Sequence, residues 1–237
     1  MGAPAIEIGP GIYRIPTLGD FINSFALVDS DGQVTLVDCG LKRAPARIVR
    51  GLESIGRHPR DVTRILLTHA HNDHAGGAAR FAARSGAESV MAHTADADYL
   101  RSGSMPPRDA TTGIGRLIGR LPAGGFSPVH AVTELQDGQL LEVAGGLRVL
   151  HTPGHTPGHV SLLHPDSGVL ITGDAIFNMR ARMTWPFAAF CTSFEQTRST
   201  ARILADQEYS TAAFTHGPEI RGTGRTAIRD FLRRKNR

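Results

Sequence analysis

Short apolar runs bounded by turn residues fill the beginning of the chain, and they predict β-strands. These runs cover residues 12–15, 24–28 and 34–37. A turn signal, Asp31-Gly32, separates the second run from the third. The pattern then changes to a helical repeat over about 44–55, where Ile48, Leu52 and Ile55 fall on one face. The chain therefore starts as a group of strands followed by a helix.

Apolar runs and turn residues continue to alternate through the rest of the chain, with one interruption. A strand over 65–67, an alanine-rich helix ending near 84 and a strand over 89–92 come first. Residues 98–128 are rich in glycine and proline, which predicts an inserted lid with a short helix around 114–121. Further strands are predicted at 129–133, 139–143, 147–151, 160–164, 168–172 and 212–214, and helices at 193–205 and 224–234.

The order of these elements repeats, because each half of the chain is a group of strands, then a helix, a strand and a helix. Two mixed β-sheets packed face to face, with helices outside, would bury such strands on both faces. The predicted fold class is therefore α/β. No linker or low-complexity segment divides the sequence, so we expect one domain over residues 1–237. The loops that follow the strands would gather along one edge of this sandwich.

Composition narrows the class of protein further. No apolar run reaches 18 residues and the start lacks the pattern of a signal peptide, so we expect no membrane segment. Two distant cysteines make no disulfide framework, which indicates a cytoplasmic location. The net charge is +4, but Lys42 and Lys235 are the only lysines among 26 basic residues. We interpret this arginine bias as compositional and expect no nucleic-acid partner.

The segment 68–74 carries the most informative chemistry. It places three histidines and one aspartate directly after the apolar run 65–67. His69 and His71 are two positions apart, so in an extended segment they point the same way and can bind one metal ion. Asp73 and His74 follow where the chain turns into the next helix, and they can reach a second ion. Imidazole nitrogen and carboxylate oxygen are ligands that zinc accepts.

Three later segments supply further candidate ligands, each next to a predicted strand. In the segment 153–159 the prolines and glycines exclude a helix, and central His155 is the best-placed ligand. His159 is expected to support the site from behind the ligands. Asp174 follows a strand and could bridge two cations with its two oxygens, and His216 completes the set. The candidate ligands are sufficient for two divalent ions.

The pattern His-x-His-x-Asp-His, Pro-Gly-His-Thr-Pro-Gly-His, Gly-Asp and His-Gly resembles the metallo-β-lactamase superfamily over essentially the whole chain. The resemblance implies an αβ/βα four-layer sandwich with the metal site at one edge. It also implies that His69, His71 and His155 hold one ion and that Asp73, His74 and His216 hold the other. Asp174 would bridge the two ions. Asp38 would orient ligands without binding metal.

The expected chemistry is hydrolysis. Two cations, zinc in the first place and iron or manganese as alternatives, would make a trapped water acidic, and the resulting bridging hydroxide would attack the substrate. Asp73 is the expected catalytic residue, orienting that hydroxide and carrying its proton. No Gly-x-Ser-x-Gly elbow suggests a protein nucleophile. A small molecule with an ester, thioester or lactone bond is the expected substrate.

The branch of the superfamily stays open at the level of sequence. Common zinc β-lactamases use a cysteine near the position of Asp174, and Cys191 does not stand there. Glyoxalase II resembles the chain in its motifs but has a helical substrate domain after the last histidine, and the stretch after His216 is short. Lactonases carry a tyrosine where Phe177 stands. A β-lactamase, a persulfide dioxygenase-like enzyme with one iron, and a metal-binding sensor without activity remain alternatives.

Two segments are expected to shape the substrate pocket. One is the lid over 98–128. The other, 177–190, clusters aromatic residues directly after Asp174, and we take Phe177, Trp185 and Phe187 as candidate pocket residues. Apolar walls with arginines nearby suit a substrate with an acyl or aromatic part.

Overall fold

Two β-sheets face each other in the computed structural model, which describes residues 4–111 and 124–234. The first is a seven-stranded sheet with its strands in chain order. Its strands are β1 (Ile6–Gly9), β2 (Ile12–Pro16), β3 (Asn23–Val28), β4 (Val34–Val37), β5 (Val62–Leu66), β6 (Val90–His93) and β7 (Val132–Leu135). Strands β1 to β4 pair antiparallel, and β4 to β7 pair parallel, so the sheet is mixed.

The second sheet has five strands in the order β12-β11-β10-β9-β8. Its strands are β8 (Leu140–Leu141), β9 (Leu147–His151), β10 (Val160–His164), β11 (Val169–Ile171) and β12 (Thr211–Ala213). Strands β8 to β11 form an antiparallel meander, and β12 lies parallel to β11. This sheet is also mixed, as predicted.

Helices cover the outer face of each sheet. Those in the described residues are α1 (Pro45–Ser54), α2 (Asn72–Ala75), α3 (Ala78–Ala82), α4 (Thr94–Ser102), α5 (Phe194–Thr200), α6 (Ile203–Asp206) and α7 (Gly224–Arg234). Short 3₁₀ turns occur at Pro59–Asp61, Gly173–Ala175, Met179–Ala181 and Ala188–Phe190. Within residues 4–111 and 124–234, no helix has the length and apolar character needed to cross a bilayer.

Three apolar clusters hold the layers together. The first joins α1, α3 and α4 to the outer face of the first sheet through residues such as Ile48 and Phe81. The second fills the space between the sheets and includes Phe25. The third joins α6 and α7 to the second sheet through Leu204 and Phe231. Fully burying one such side chain contributes about 1.5–3 kcal/mol. The result is a four-layer αβ/βα sandwich, which confirms the predicted fold class.

The predicted lid is too wide at its first end. Residues 98–102 form the end of α4 rather than part of an insertion, and the helix stops at Gly103, whose φ of +71° suits a left-handed C-cap. At the other end, Phe126 packs against the first apolar cluster, and Gly125 pairs with Ser104. The short helix predicted around 114–121 lies outside the described residues.

Strand direction explains where the candidate site forms. Strands β4 and β5 run parallel to each other, as do β11 and β12, so within each pair the carboxyl ends meet at one edge. Asp38 and His69 follow β4 and β5, and Asp174 and His216 follow β11 and β12. The residues that the sequence singled out therefore come from both sheets and meet at one edge of the sandwich.

Candidate metal centre

The loop after β5 presents four candidate ligands from a rigid base. His69 lies just beyond the strand, His71 is the N-cap residue of α2, and Asp73 and His74 lie in the first turn of that helix. His69 and His74 are fully buried, whereas the Asp73 side chain is partly exposed. The loop can therefore direct some ligands inward and leave one carboxylate facing solvent.

The structure brings all seven predicted ligands together. They form three groups in which the possible ligand atoms lie within 4.8 Å of one another. These groups are His69, His71 and His155; His69, His74 and Asp174; and Asp73, His74 and His216. The carboxylate of Asp174 is central, because its oxygens lie 3.1 Å from Nε2 of His155 and 3.3 Å from Nε2 of both His74 and His216.

Unsatisfied nitrogens point into this cluster. Nε2 of His69, His74 and His216 are buried and make no hydrogen bond of good geometry within the part of the chain that the structure describes, although carboxylate oxygens lie nearby. A buried nitrogen without a partner costs free energy, so its inward orientation needs a ligand. Imidazole nitrogens around shared carboxylates are a donor set that zinc and similar divalent ions accept. The residues present therefore fit divalent metal ions.

The opposite ring nitrogens are held by partners behind the ligands. Nδ1 of His74 lies 2.8 Å from the carboxylate of Asp38, which also accepts hydrogen bonds from the backbone and hydroxyl of Thr68. Nδ1 of His216 donates to the carbonyl oxygen of Phe21 at 2.6 Å. Such contacts fix the tautomer and the ring orientation of a ligand. Asp38 thus contacts a candidate ligand from behind, and its orienting role stays a prediction.

His159 lies behind Asp174 rather than in the ligand groups. Its Nε2 accepts a hydrogen bond from the backbone N–H of Asp174 at 2.7 Å, and its Nδ1 donates to the carbonyl oxygen of Thr152 at 3.0 Å. Burial, with the neighbouring His155, lowers the pKa of His159 to about 3. A neutral ring is the form that makes both bonds, so His159 fixes the backbone of Asp174.

The charges of the cluster suit cation binding. Burial and the neighbouring histidines lower the pKa of His69 and His71 well below the usual value, which leaves their lone pairs free of protons. Burial opposes ionisation of Asp174, but His216, His74 and the other nearby imidazoles outweigh it and hold its pKa well below the usual range. His69 and His71 are therefore neutral imidazoles beside an ionised carboxylate. For His74 and His216, burial is outweighed by the charge of Asp174, which raises the pKa of both rings.

Cys191 is a site residue that the sequence analysis missed. Its side chain is buried, and its Sγ lies 3.5 Å from Nδ1 of His155. Burial lowers the pKa of His155, and the contacts with Asp174 and Cys191 outweigh burial and raise it to about 9. The thiol comes from the loop before α5, far from His155 in sequence, and no local pattern marks it.

A cavity of about 620 Å³ opens onto the cluster. Its floor includes His71, Asp73, His155, Asp174 and His216. Its walls are mainly apolar and include Leu18, Phe21, Leu41, Met105, Phe177, Phe187 and Phe190. Two of the three predicted pocket residues, Phe177 and Phe187, therefore line the cavity, and the ring of Phe177 lies 4.3 Å from that of His216.

Trp185 does not line the cavity, and its prediction as a pocket residue is wrong. Its ring packs 4.9 Å from Phe231 in the third apolar cluster. Phe177 and Thr184 are joined by two backbone hydrogen bonds. Trp185 follows Thr184, and its indole packs against α7 instead of facing the cavity. Phe21, from the turn between β2 and β3, lines the wall instead. Nothing in the local sequence links that turn to the site.

Comparison with known proteins places this geometry in a family. The sequence profile of the metallo-beta-lactamase superfamily matches residues 18–216, which include every candidate ligand. The chain belongs to the metallo-beta-lactamase superfamily. The resemblance inferred from the motifs is therefore confirmed.

Relatives within the superfamily support the expected class of enzyme. The uncharacterized protein YobT of Bacillus subtilis (strain 168) is 33% identical over 207 residues, covering 82% of this chain and 83% of that protein. A hydroxyacylglutathione hydrolase of Cereibacter sphaeroides is 30% identical over 219 residues, covering 83% of this chain and 71% of that protein. Superfamily membership, this relative and the probable metallo-hydrolase YybB of Bacillus subtilis (strain 168), 27% identical over 210 residues, confirm the prediction of a metal-dependent hydrolase.

Solved structures of superfamily members share the fold. The Rm3 metallo-beta-lactamase aligns with a TM-score of 0.75 at 20% identity, covering 98% of this chain and 91% of that one. A metallo-beta-lactamase family protein from Thermus thermophilus aligns with a TM-score of 0.73 at 27% identity, covering 96% of this chain and 80% of that one. The four-layer sandwich is thus the superfamily architecture.

Proposed function

We propose that this chain is a dinuclear metal-dependent hydrolase of a small ester, thioester or lactone that carries an apolar acyl or aromatic group. The observation that carries the proposal is the position of Asp174. Its carboxylate stands between two sets of metal donors on the floor of an apolar cavity. A site with two cations and an apolar wall suits hydrolysis of an acyl compound better than simple metal storage.

The ligands divide into two sets that share Asp174. We propose that His69, His71 and His155 hold one ion, and that Asp73, His74 and His216 hold the other. When bound, such cations supply Lewis acidity, which polarises a substrate carbonyl and makes a water acidic enough to attack it. The pairing of Nε2 of His216 with carboxylate oxygens of both Asp73 and Asp174 supports this division.

Asp73 is the proposed proton carrier. Its carboxylate lines the cavity, is partly exposed, and lies 3.4 Å from Nε2 of His216. From this position Asp73 can accept a proton from the attacking water and pass it to the leaving group. The apolar walls hold the acyl part and exclude bulk water from the floor, where the bond is broken. The relative named hydroxyacylglutathione hydrolase acts on an acyl compound by its name, which supports an acyl substrate here.

Metal analysis followed by an activity panel tests the proposal. Protein purified without chelator should contain two ions per chain, as zinc or as a mixture with iron and manganese, and should hydrolyse members of an ester, thioester and lactone panel. Asp174→Ala should lower the affinity of both sites and abolish turnover, since a shared ligand is lost. One iron per chain with no second site on titration would instead identify a mononuclear enzyme. Two bound ions without turnover would indicate a sensor.

A chain-length series tests the apolar part of the substrate. Phe187 is 61% exposed at the cavity wall, so an acyl chain that covers it is removed from water. Each buried methylene contributes about 0.8 kcal/mol, so kcat/KM should rise roughly fourfold per added methylene until the cavity is filled. Phe187→Ala should flatten this rise. Leu140→Ala is the matched control, because Leu140 is 57% exposed in β8 and does not line the cavity.

A further inference from the structure

A buried carboxylate in α4 lies next to the centre and belongs neither to the proposed ligands nor to the cavity wall. Asp96 is in the first turn of α4, and its side chain is fully buried. It stands between the loop that carries His69 and His71 and the loop that carries His155. No arginine or lysine pairs with it among the ion pairs of residues 4–111 and 124–234. A buried charge in this situation needs hydrogen-bond donors.

Three donors, taken from both loops, satisfy Asp96. Oδ2 accepts from the backbone N–H of Ala70 at 2.8 Å and from the hydroxyl of Thr156 at 2.7 Å. Oδ1 accepts from the backbone N–H of Gly158 at 2.6 Å. Ala70 lies between His69 and His71 in the chain, and Thr156 follows His155. One carboxylate therefore binds the backbone between His69 and His71, and it also binds the side chain and the backbone just after His155. These three histidines are proposed ligands.

The loop at Gly158 and helix α4 approach each other closely at Asp96. A Cβ at Gly158 would lie 2.5 Å from the backbone nitrogen of Asp96 and 2.8 Å from its side chain, so the loop and α4 touch directly. All three contacts are donors, and an ionised carboxylate is an acceptor only, which matches them. An amide of the same shape would turn an N–H₂ group towards a donor. The site thus selects a carboxylate and not simply a small polar group.

From these contacts we infer that Asp96 is a positioning residue that sets the distance between the two loops. It would thereby set the spacing of His71 and His155, whose ring nitrogens lie 3.0 Å apart. The inference rests on the proposed function, because it assigns Asp96 to the ion held by His69, His71 and His155. The partners of Asp96 adjoin His69, His71 and His155 in the chain, but none of them adjoins Asp73, His74 or His216, so Asp96 acts on the two sites unequally.

Zinc titration of the full chain against a competing chelator dye tests this inference. Asp96→Asn should weaken one of the two zinc sites by roughly 10–100-fold, the range seen when partners behind a ligand are changed. The other site should change by less than about threefold. Asp98→Asn is the matched control, since Asp98 lies on the same helix with its side chain 95% exposed. A double-mutant cycle with His71→Ala identifies the affected site, because the two changes should be strongly non-additive there.

Hydrogen exchange of the metal-free protein gives a second readout. The amides of Ala70 and Gly158 should lose protection in Asp96→Asn, whereas amides in the core of β3 should not. Equal zinc affinities and equal exchange in Asp96→Asn and Asp98→Asn would overturn the inference. If Asp96→Asn does not fold, Thr156→Val removes one of the three donors with the same shape, and it should weaken the same site by a smaller factor. If neither the unaltered chain nor any variant binds zinc, the proposed function fails. The exchange data alone then show whether Asp96 holds the two loops together.

Discussion

At the scale of single residues, three of the five imidazoles of the centre are each fixed by a different kind of partner. His74 has the carboxylate of Asp38, His216 has the carbonyl oxygen of Phe21, and His155 has the thiol of Cys191. A carboxylate makes a bound imidazole more basic than a carbonyl does, and a thiol is a weak partner. The three ligands are therefore held in place with unequal strength, and His155 depends on the weakest contact.

Replacement of Cys191 tests this dependence. Cys191→Ala removes the partner of Nδ1 of His155, so we expect zinc affinity at that ligand's site to fall by about tenfold. Cys191→Ser keeps a polar group and should lose less. Cys39→Ala is the control, because Cys39 is buried in the first apolar cluster and its loss should change the free energy of unfolding without changing zinc affinity. Competition titration measures the affinities, and an equal affinity in Cys191→Ala would show that the thiol contact has no role.

A stacked pair of imidazoles outside the centre makes stability depend on pH. The rings of His93 and His151 stack at 3.8 Å, and burial and the charge of His151 lower the pKa of His93 from 6.5 to about 4. The unfolded chain binds this proton below pH 6.5 and the folded chain only below about 4. The contribution of His93 to the free energy of unfolding is therefore fully present above pH 6.5 and is lost as the pH drops towards 4. This contribution is on the order of 1–2 kcal/mol after allowance for solvent screening.

His93→Asn isolates this contribution. Asparagine can still cap α4 by accepting from the N–H of Ala95, as Nδ1 of His93 does, but it does not titrate. In urea unfolding with chelator present, the variant should lose less stability than the unaltered chain between pH 7 and pH 4.5. His130→Asn, at an exposed position, should not differ from the unaltered chain. Parallel pH profiles for all three proteins would contradict the prediction.

The site residues that the sequence could identify lie in recognisable local motifs, whereas those that it missed carry no such motif. His69, His71, Asp73 and His74 share one short segment, so their common side is set by local geometry and can be read from spacing. Cys191, Asp96 and Phe21 reach the site only through the folded chain. Asp96 looks like a solvent-exposed acidic residue in an ordinary helix until the two loops are placed against it. No local pattern carries that information.

At the scale of elements, one side chain joins the two sheets beside the centre. Asn23 begins β3 in the first sheet, and its amide donates to the carbonyl oxygens of Phe214 at 3.0 Å and Gly217 at 2.8 Å. These carbonyls flank His216 beyond β12 in the second sheet. The backbone N–H of Asn23 also donates to Thr215 at 2.9 Å. The position of His216 is therefore set by a residue of the opposite sheet.

Asn23→Asp should disturb this junction strongly. A carboxylate cannot donate, so two buried carbonyls lose their partner and face a negative charge. We expect a loss of about 3 kcal/mol in the free energy of unfolding, since leaving one buried polar group unsatisfied costs roughly 1–3 kcal/mol. Asn178→Asp is the comparator, because its amide makes one such bond, to the carbonyl of Pro218 at 2.7 Å. Denaturant unfolding of both variants measures the difference, and equal losses would contradict the role given to Asn23.

Element boundaries were predictable where the pattern was continuous. The predicted runs 34–37, 147–151, 160–164 and 224–234 match β4, β9, β10 and α7 residue for residue. Strand β1 was missed because it is short and lies at the edge of its sheet, where only Ile8 is buried. Helix α4 was assigned in part to the lid, because its buried stripe contains the polar Asp96 beside Ala97 and Leu100. A functional residue had interrupted the apolar pattern.

At the scale of the whole molecule, the layer order followed from the element order, whereas the cavity did not. Strands that are apolar on both faces must lie between two layers, which leaves few arrangements for this sequence of elements. The cavity walls come from the turn between β2 and β3, the segment after α4 and the segment after β11. These three segments come together only through their loop conformations, which the periodicity of apolar residues does not predict. This is why Phe21 was missed and Trp185 was placed wrongly.

Metal removal should lower the melting temperature of the entire chain. The proposed ligands follow β5 in the first sheet and β11 and β12 in the second, so an ion bound between them belongs to the folded state alone. Ligand at 100 times its Kd adds about 2.7 kcal/mol of stability per site. For a chain of this length, that corresponds to a rise of roughly 5–10 °C. Thermal unfolding with and without chelator measures the shift, and Asp174→Ala should show little of it.

The junction of the two sheets at the centre has a consequence for the amount of protein in a cell. By mass action, the ratio of folded to unfolded chain rises with the free metal concentration, and each tenfold increase above Kd multiplies it about tenfold per site. A protease removes unfolded chains, so turnover of the polypeptide would accelerate when metal is scarce and slow when it is abundant. The lifetime of the protein would then follow the metal supply without any separate regulator.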